Sequence, residues 1–417
     1  MRNKDALDSV LNQRDEGMIQ ETAGGVSVAT PAQVGTRVRN QRTRLGLTQR
    51  ALAARSGLPQ SRVHRIEMDP SRPIDLGDLS RIAAGLGVSM TSLIEDSPVR
   101  ERVLGAARAR NDDAVTGALQ SACDLIELEE RLSGLGVGDG QRLRLPQVGL
   151  AAGGPASQGR CLAQAVRERW EIPDAPLGDL AELIEDFTGA DVAVRDLPAG
   201  VSGLAVTEQT AGVAVILANT EGSPESQRFT LAHELGHLLT GDTRVDTART
   251  SSVTQAERRA NSFAGHLLMP EGGVCRWLAA AGDPPVATER TVAALARIFG
   301  TSLDVTLIQL RTFGLITARQ KEALGGVSMR TLALRHGWLP AREAEAAAAA
   351  RTRPPRRLWQ RALLAYQSGR LGIAPIALLA HADPAQLRAE LAETGVIPQP
   401  PEPVAVDFDA LLARAAT

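Results

Sequence analysis

The stretch SPESQRFTLAHELGHLLTGD, residues 223–242, decides how this 417-residue chain is read. Ser223 is a helix-capping residue, and Pro224 suits the first turn, where no backbone N–H is needed. Glu225 follows at the positive end of the helix dipole. Phe229, Leu231, Ala232, Leu235, Leu238 and Leu239 supply the apolar side that buries the helix. On such a helix His233 and His237, four residues apart, stand on one face and can aim two imidazole nitrogens at one Zn2+. Glu234 lies beside them, placed to act on metal-bound water. With six histidines and 25 glutamates in 417 residues, a random chain would carry roughly 0.005 such motifs, so chance is a poor explanation.

A catalytic zinc takes three protein ligands and keeps one position for water. The HExxHxxGxxH extension is absent, because Thr240 is the third residue after His237 and Gly241 comes next. Downstream, QAERRANSFAGHLLMP (residues 255–270) places Ala260, Phe263, Ala264, Leu267 and Leu268 as an inward stripe, with Glu257 three residues before Ala260 on the same face. A carboxylate facing a core needs a partner, and a metal is one. His266 is nine residues from Glu257, about half a turn out of phase. Glu257 is therefore the expected third ligand, and a first-turn charge on the helix dipole is its alternative role.

RFTLAHELGHLL, ERRANSFAGHLLMP and the preceding LGDLAELIEDFTGADVAV, within residues 160–275, resemble the ImmA/IrrE family of zinc metallopeptidases. The resemblance implies zinc on His233, His237 and Glu257, Glu234 as general base, and a helix-turn-helix repressor as the protein cleaved. Asp191–Arg195 and residues 211–217 read as strands, and one of them would receive substrate by strand addition. Many such enzymes stabilise the oxyanion with a tyrosine or histidine. Here the single tyrosine is Tyr366, and no motif places His266, His336 or His381 at the site.

The other informative region lies near the start. Between Glu21 and Glu67 there is no acidic residue, while Arg37, Arg39, Arg42, Arg44, Arg50, Arg55, Arg62 and Arg65 all fall there. These read as eight uncompensated positive charges, a footprint for phosphates. Helices are predicted over residues 34–44, Gln49–Ser56 with Thr48 as cap, 60–67 after a Gly57-Leu58-Pro59 turn, Leu76–Leu86 and Met90–Ile94. GTRVRNQRTRLGLTQRALAARSGLPQSRVHRIE and LSRIAAGLGVSMTSLIE, within residues 33–96, resemble the Cro/CI-type (XRE) helix-turn-helix domain. That resemblance implies Gln49 against a phosphate and Gln60, Ser61, Arg62 and His64 facing base edges, with Arg39, Arg44 and Arg50 holding the backbone.

Whole-chain numbers set the frame. The 46 basic and 48 acidic residues leave a formal charge of −2, an average over unlike parts. Cys123, Cys161 and Cys275 are odd in number and far apart, which suggests neither a disulfide framework nor a cysteine zinc site. A reducing compartment, the cytoplasm, is expected, with nucleoid association when DNA is bound. The longest apolar run, near residues 211–218, is far short of the roughly 18 residues a membrane span needs, so no membrane partner is expected.

The expected fold is multidomain and mainly α, with an α+β catalytic domain of zincin type carrying a small sheet. Its divisions are a flexible N-terminal arm (1–32), a five-helix helix-turn-helix domain (33–97), a helical linker (98–159), the zinc metallopeptidase domain (160–285) and a helical C-terminal region (286–417). The expected function is a DNA-binding regulator whose Zn2+-dependent endopeptidase cleaves a repressor and so derepresses stress-response or mobile-element genes. The expected partners are a double-stranded DNA operator and that repressor, with a homodimer anticipated from palindromic half-sites. The alternative is a ligand-responsive transcription factor whose zincin-like domain is a sensor or scaffold without proteolysis.

Overall fold

The computed structural model describes residues 30–44, 46–69, 73–86, 90–94, 103, 113–138, 143–145, 152–208, 212–241, 255–282 and 284–399. The expected N-terminal arm lies outside these residues except for its last three positions, as do Leu45 and the side chain of Arg44. The chain divides into two compact units, Met1–Ser97 and Pro98–Thr417.

The first unit has five helices among its described residues: α1 (Pro31–Arg44), α2 (Gln49–Ser56), α3 (Gln60–Met68), α4 (Leu76–Leu86) and α5 (Met90–Ile94). Thr48 caps α2 by accepting from the Ala51 amide, and Gly57 ends it in the left-handed region at φ 63°. Val38, Leu52, Val63 and Ile82 meet in a small core. Among the described residues, Arg42 and Arg62 are compensated by acids, contrary to the reading along the sequence. Arg42 Nε lies 2.6 Å from Glu67 Oε1, and Arg62 pairs with Asp78. Both acids fall beyond the acid-free segment in sequence, and folding returns them to it.

The second unit begins with α6 (Asp113–Gly134), α7 (Pro155–Arg169) and α8 (Leu180–Thr188), then β1 (Asp191–Arg195), β2 (Gly203–Glu208) and β3 (Val213–Asn219). After the sheet come α9 (Pro224–Thr240) and α10 (Gln255–Leu268). The three strands lie in the order β1-β3-β2. β1 is parallel to β3, with Val192 opposite Ile216, and β2 is antiparallel to it, with Ala205 opposite the same residue. Alternation along β3 feeds two cores. On one face Ala214, Ile216 and Ala218 pack in a core with Ile184 of α8, Leu231 and Leu235 of α9, and Phe263 of α10.

On the opposite face Val213, Val215 and Leu217 pack with Leu119 and Ile126 of α6 and with Leu358, Ala362 and Tyr366, which belong to a late helix. The C-terminal region therefore completes the sheet's second core. After α10 come α11 (Glu271–Ala280) and then the helices of the C-terminal region, α12 (Glu289–Phe299), α13 (Leu303–Thr312), α14 (Ala318–Leu324), α15 (Met329–Arg335), α16 (Leu339–Ala349), α17 (Arg356–Gln367), α18 (Ile373–Ala380) and α19 (Pro384–Glu393). A third core, with Val274, Phe299, Leu307 and Leu332, joins α11 to α13 and α15. No single described helix is long and apolar enough to cross a membrane.

Between α16 and α17 the chain forms a strap on the sheet. Arg353 and Val194 exchange backbone hydrogen bonds of 2.9 and 3.0 Å, which closes the outer edge of β1. The Arg353 guanidinium also donates to Glu185 Oε2 at 2.7 Å and to the Val192 carbonyl at 2.8 Å. Buried charges tie the same helices down: Arg357 lies 3.0 Å from Asp191 and 3.2 Å from Glu129, which also pairs with Arg361. Arg342 of α16 meets Glu225 in the first turn of α9 at 3.0 Å.

Candidate metal centre and nucleic-acid face

The helix carrying HELGH is set as its sequence dictates. Ser223 accepts from the Ser226 amide, Pro224 fills the first turn, and Gly241 ends the helix at φ 69°. Leu231, Ala232, Leu235 and Leu238 are buried, which leaves His233 and His237 on the half-buried side. Helix α10 crosses close to this side at Gly236. A Cβ there would come 2.9 Å from Phe263 Cδ1 and 3.4 Å from Ala260 Cα, so only a glycine admits the crossing.

That crossing delivers Glu257. Its Oε2 lies 3.3 Å from His233 Nε2 and its Oε1 lies 3.2 Å from His237 Nε2, while the two Nε2 atoms are 3.0 Å apart. Ligands about 2.0–2.1 Å from a tetrahedral zinc stand roughly 3.3 Å from one another, so the three donors fit such an ion. Among the described residues this is the cluster of histidine, cysteine and acidic side chains able to hold a metal. The imidazoles of His233 and His237, both within hydrogen-bonding distance, hold the Glu257 carboxyl well below the usual carboxylate range against the opposing effect of burial.

Asn261, one turn after Glu257 on α10, is not among the residues the sequence singles out. Its Oδ1 lies 3.1 Å from His233 Nδ1. An amide oxygen only accepts, so Nδ1 carries the hydrogen and Nε2 keeps its lone pair toward Glu257 and the metal position. The i, i+4 spacing from Glu257 is the signal that could have found it.

Glu234 turns toward the sheet. Burial pushes its carboxyl above the usual range, opposed by His233 and His237, raised further by Glu257 and lowered by a backbone hydrogen bond involving Ala205. The adjacent strand is β2, which the sequence pattern does not reveal. Gly203 opens it where a Cβ would come 2.8 Å from the Leu217 carbonyl and 3.4 Å from Glu234 Cγ. Of the two strands expected from sequence, β3 is central and β1 is bridged by Arg353; among the described residues β2, beside the helix, is the edge with no further strand paired to it. His266 turns away: its Nδ1 bonds the Ser262 carbonyl at 2.8 Å and its ring meets Phe313 edge-on. Tyr366 is buried in the core on the far face of the sheet, and His336 pairs with Glu289 at 3.2 Å.

In the first unit, Gln60, Ser61 and His64 are exposed along one side of α3, and Arg39 and Arg50 are exposed on α1 and α2. Arg62 is engaged with Asp78 at the start of α4. Gln49 donates through Nε2 to Glu67 Oε2 at 2.8 Å, and its Oε1 lies 3.3 Å from His64 Nδ1.

Residues 38–93 match the helix-turn-helix family model, and residues 187–310 match the model described as an IrrE N-terminal-like domain. No curated protein matches the chain. A solved Mycobacterium tuberculosis transcriptional regulator is 19% identical, with 48% of this chain and 54% of that one covered, at a TM-score of 0.28. The match spans about half of that regulator's length, and a likeness of this degree carries no structural argument. The family matches cover the two motif-bearing regions: the chain joins an XRE-type helix-turn-helix domain to an IrrE N-terminal-like peptidase domain.

Proposed function

We propose that this DNA-binding regulator is a zinc-dependent endopeptidase that cleaves a helix-turn-helix repressor, in trans on a bound repressor or in cis through the segment between residues 134 and 159. The observation that carries the reading is the triangle of His233 Nε2, His237 Nε2 and Glu257, with Glu234 beside it. A zinc ion held there would supply Lewis acidity and lower the pKa of its bound water. Glu234 takes the water proton and passes it to the leaving amine, a role suited to a carboxyl whose pKa burial has raised. The edge of β2 offers backbone groups to an extended substrate segment. Gln60, Ser61 and His64 face base edges, while Arg39, Arg44 and Arg50 engage phosphates.

The test is Glu234→Gln in the full-length protein. Cleavage of the co-bound repressor falls by about 10²–10⁴-fold while zinc stoichiometry and DNA binding stay unchanged. Unchanged proteolysis would overturn the mechanism. The sensor or scaffold reading draws support from Tyr366, which lies in the core across the sheet from α9 and so is not an oxyanion donor. One zinc per chain with no cleavage of any bound repressor would favour it.

A further inference from the structure

A chain of hydrogen bonds in the first unit ends on an exposed imidazole. The Glu67 carboxylate is fully buried and accepts from Arg42 Nε at 2.6 Å, Arg42 Nη2 at 2.9 Å and Gln49 Nε2 at 2.8 Å. An ionised carboxylate only accepts, so Gln49 must turn its amide nitrogen to it. The amide oxygen then faces His64 Nδ1, 3.3 Å away. That oxygen cannot donate, so Nδ1 carries the hydrogen, and in the neutral ring Nε2 is left as an acceptor.

We propose that this relay makes His64 a reader of amino bases. The inference rests on the DNA-binding reading of α3. His64 lies four residues after Gln60 on the exposed side of the helix. In the major groove adenine offers an N6 hydrogen and cytosine an N4 hydrogen, whereas guanine O6 and thymine O4 are acceptors. A lone pair on Nε2 accepts from the first two and is repelled by the others. Gln49 is a positioning residue here, and the second hydrogen of its Nε2 is available to a phosphate oxygen.

The experiment has two arms, both on the full-length protein. Long-range proton–nitrogen correlation spectra at mildly alkaline pH, where imidazoles are uncharged, read the His64 tautomer directly. A protonated Nδ1 with an unprotonated Nε2 is expected, and Gln49→Ala shifts the ring toward the opposite tautomer. The reverse assignment in the native protein would overturn the proposal. In selection from a randomised duplex pool, one position per bound site favours adenine or cytosine by roughly 2- to 10-fold. His64→Ala removes that preference and Gln49→Ala weakens it. A preference for guanine or thymine at the His64-dependent position, or no position that responds to His64→Ala, would also overturn it. No enrichment at all by the native protein would remove the DNA-binding reading and the base reading with it, whatever the tautomer.

Discussion

Gly236, in the middle of HELGH, lies against Phe263 of α10, where an added Cβ would stand 2.9 Å from the ring. The two helices share the metal ligands, so their separation sets the distance from Glu257 to the histidines. Gly236→Ala is expected to push α10 outward, costing about 1–3 kcal/mol of stability. Zinc affinity falls with it, which chelator competition would measure; unchanged affinity would show that the crossing does not set the site.

Asn261 holds the His233 ring from behind at 3.1 Å. Asn261→Ala is expected to weaken zinc binding by about 10- to 100-fold. Asn261→Asp, which keeps an acceptor at the same place, retains most of it. Equal losses in both variants would argue against a role through the imidazole tautomer.

Asp191 is buried, and its carboxyl is pushed up to about 7 by burial, with Arg357 opposing and Glu129 and Glu185 adding to the rise. A free aspartate titrates near ~3.9, so between the two values the folded state binds the extra proton. The stabilisation from this group is full below the unfolded value and is lost as pH rises through about 7. Asp191→Asn should flatten the fall in stability from pH ~4 to ~7 by up to about 1.4 kcal/mol per pH unit. Denaturant melts across that range would check it, with parallel curves for the two proteins as the contrary result.

Glu129 and Arg361 form a buried pair between α6 and α17. Arg361→Met removes a charged hydrogen bond but leaves the buried Glu129 with Arg357 at 3.2 Å, so it is expected to cost about 1–3 kcal/mol. The double variant with Glu129→Leu recovers much of that, as thermal or denaturant unfolding would show.

Much of the fold and site is legible in the sequence because the signals are local. Thr48, Gly57, Ser223 and Gly241 cap helices through bonds to residues three or four away, and HELGH encodes its geometry in one turn. Glu257 is readable from the stripe of Ala260, Phe263 and Leu267. β2 is not, because Leu204, Ala205 and Val206 form a short run whose strand character comes from pairing with β3. The Arg353 strap is a single bridge with no periodic pattern. Likewise the pairing of Arg42 with Glu67 and of Arg62 with Asp78 depends on distant segments meeting, which a count of charges along the chain does not register.

The shared core on the far face of the sheet bears on how such a chain can be cut and rejoined. Because Leu119 and Ile126 precede the peptidase motifs while Leu358 and Tyr366 follow them, one side of the sheet is built from both ends of the unit. A fragment bounded by the motifs would expose Val213, Val215 and Leu217 to water. Val103 packs on this core as well, so the portable piece is the whole second unit and not the motif-bearing span, and an exchange of DNA-binding partners is structurally cheap only at the division between Ser97 and Pro98.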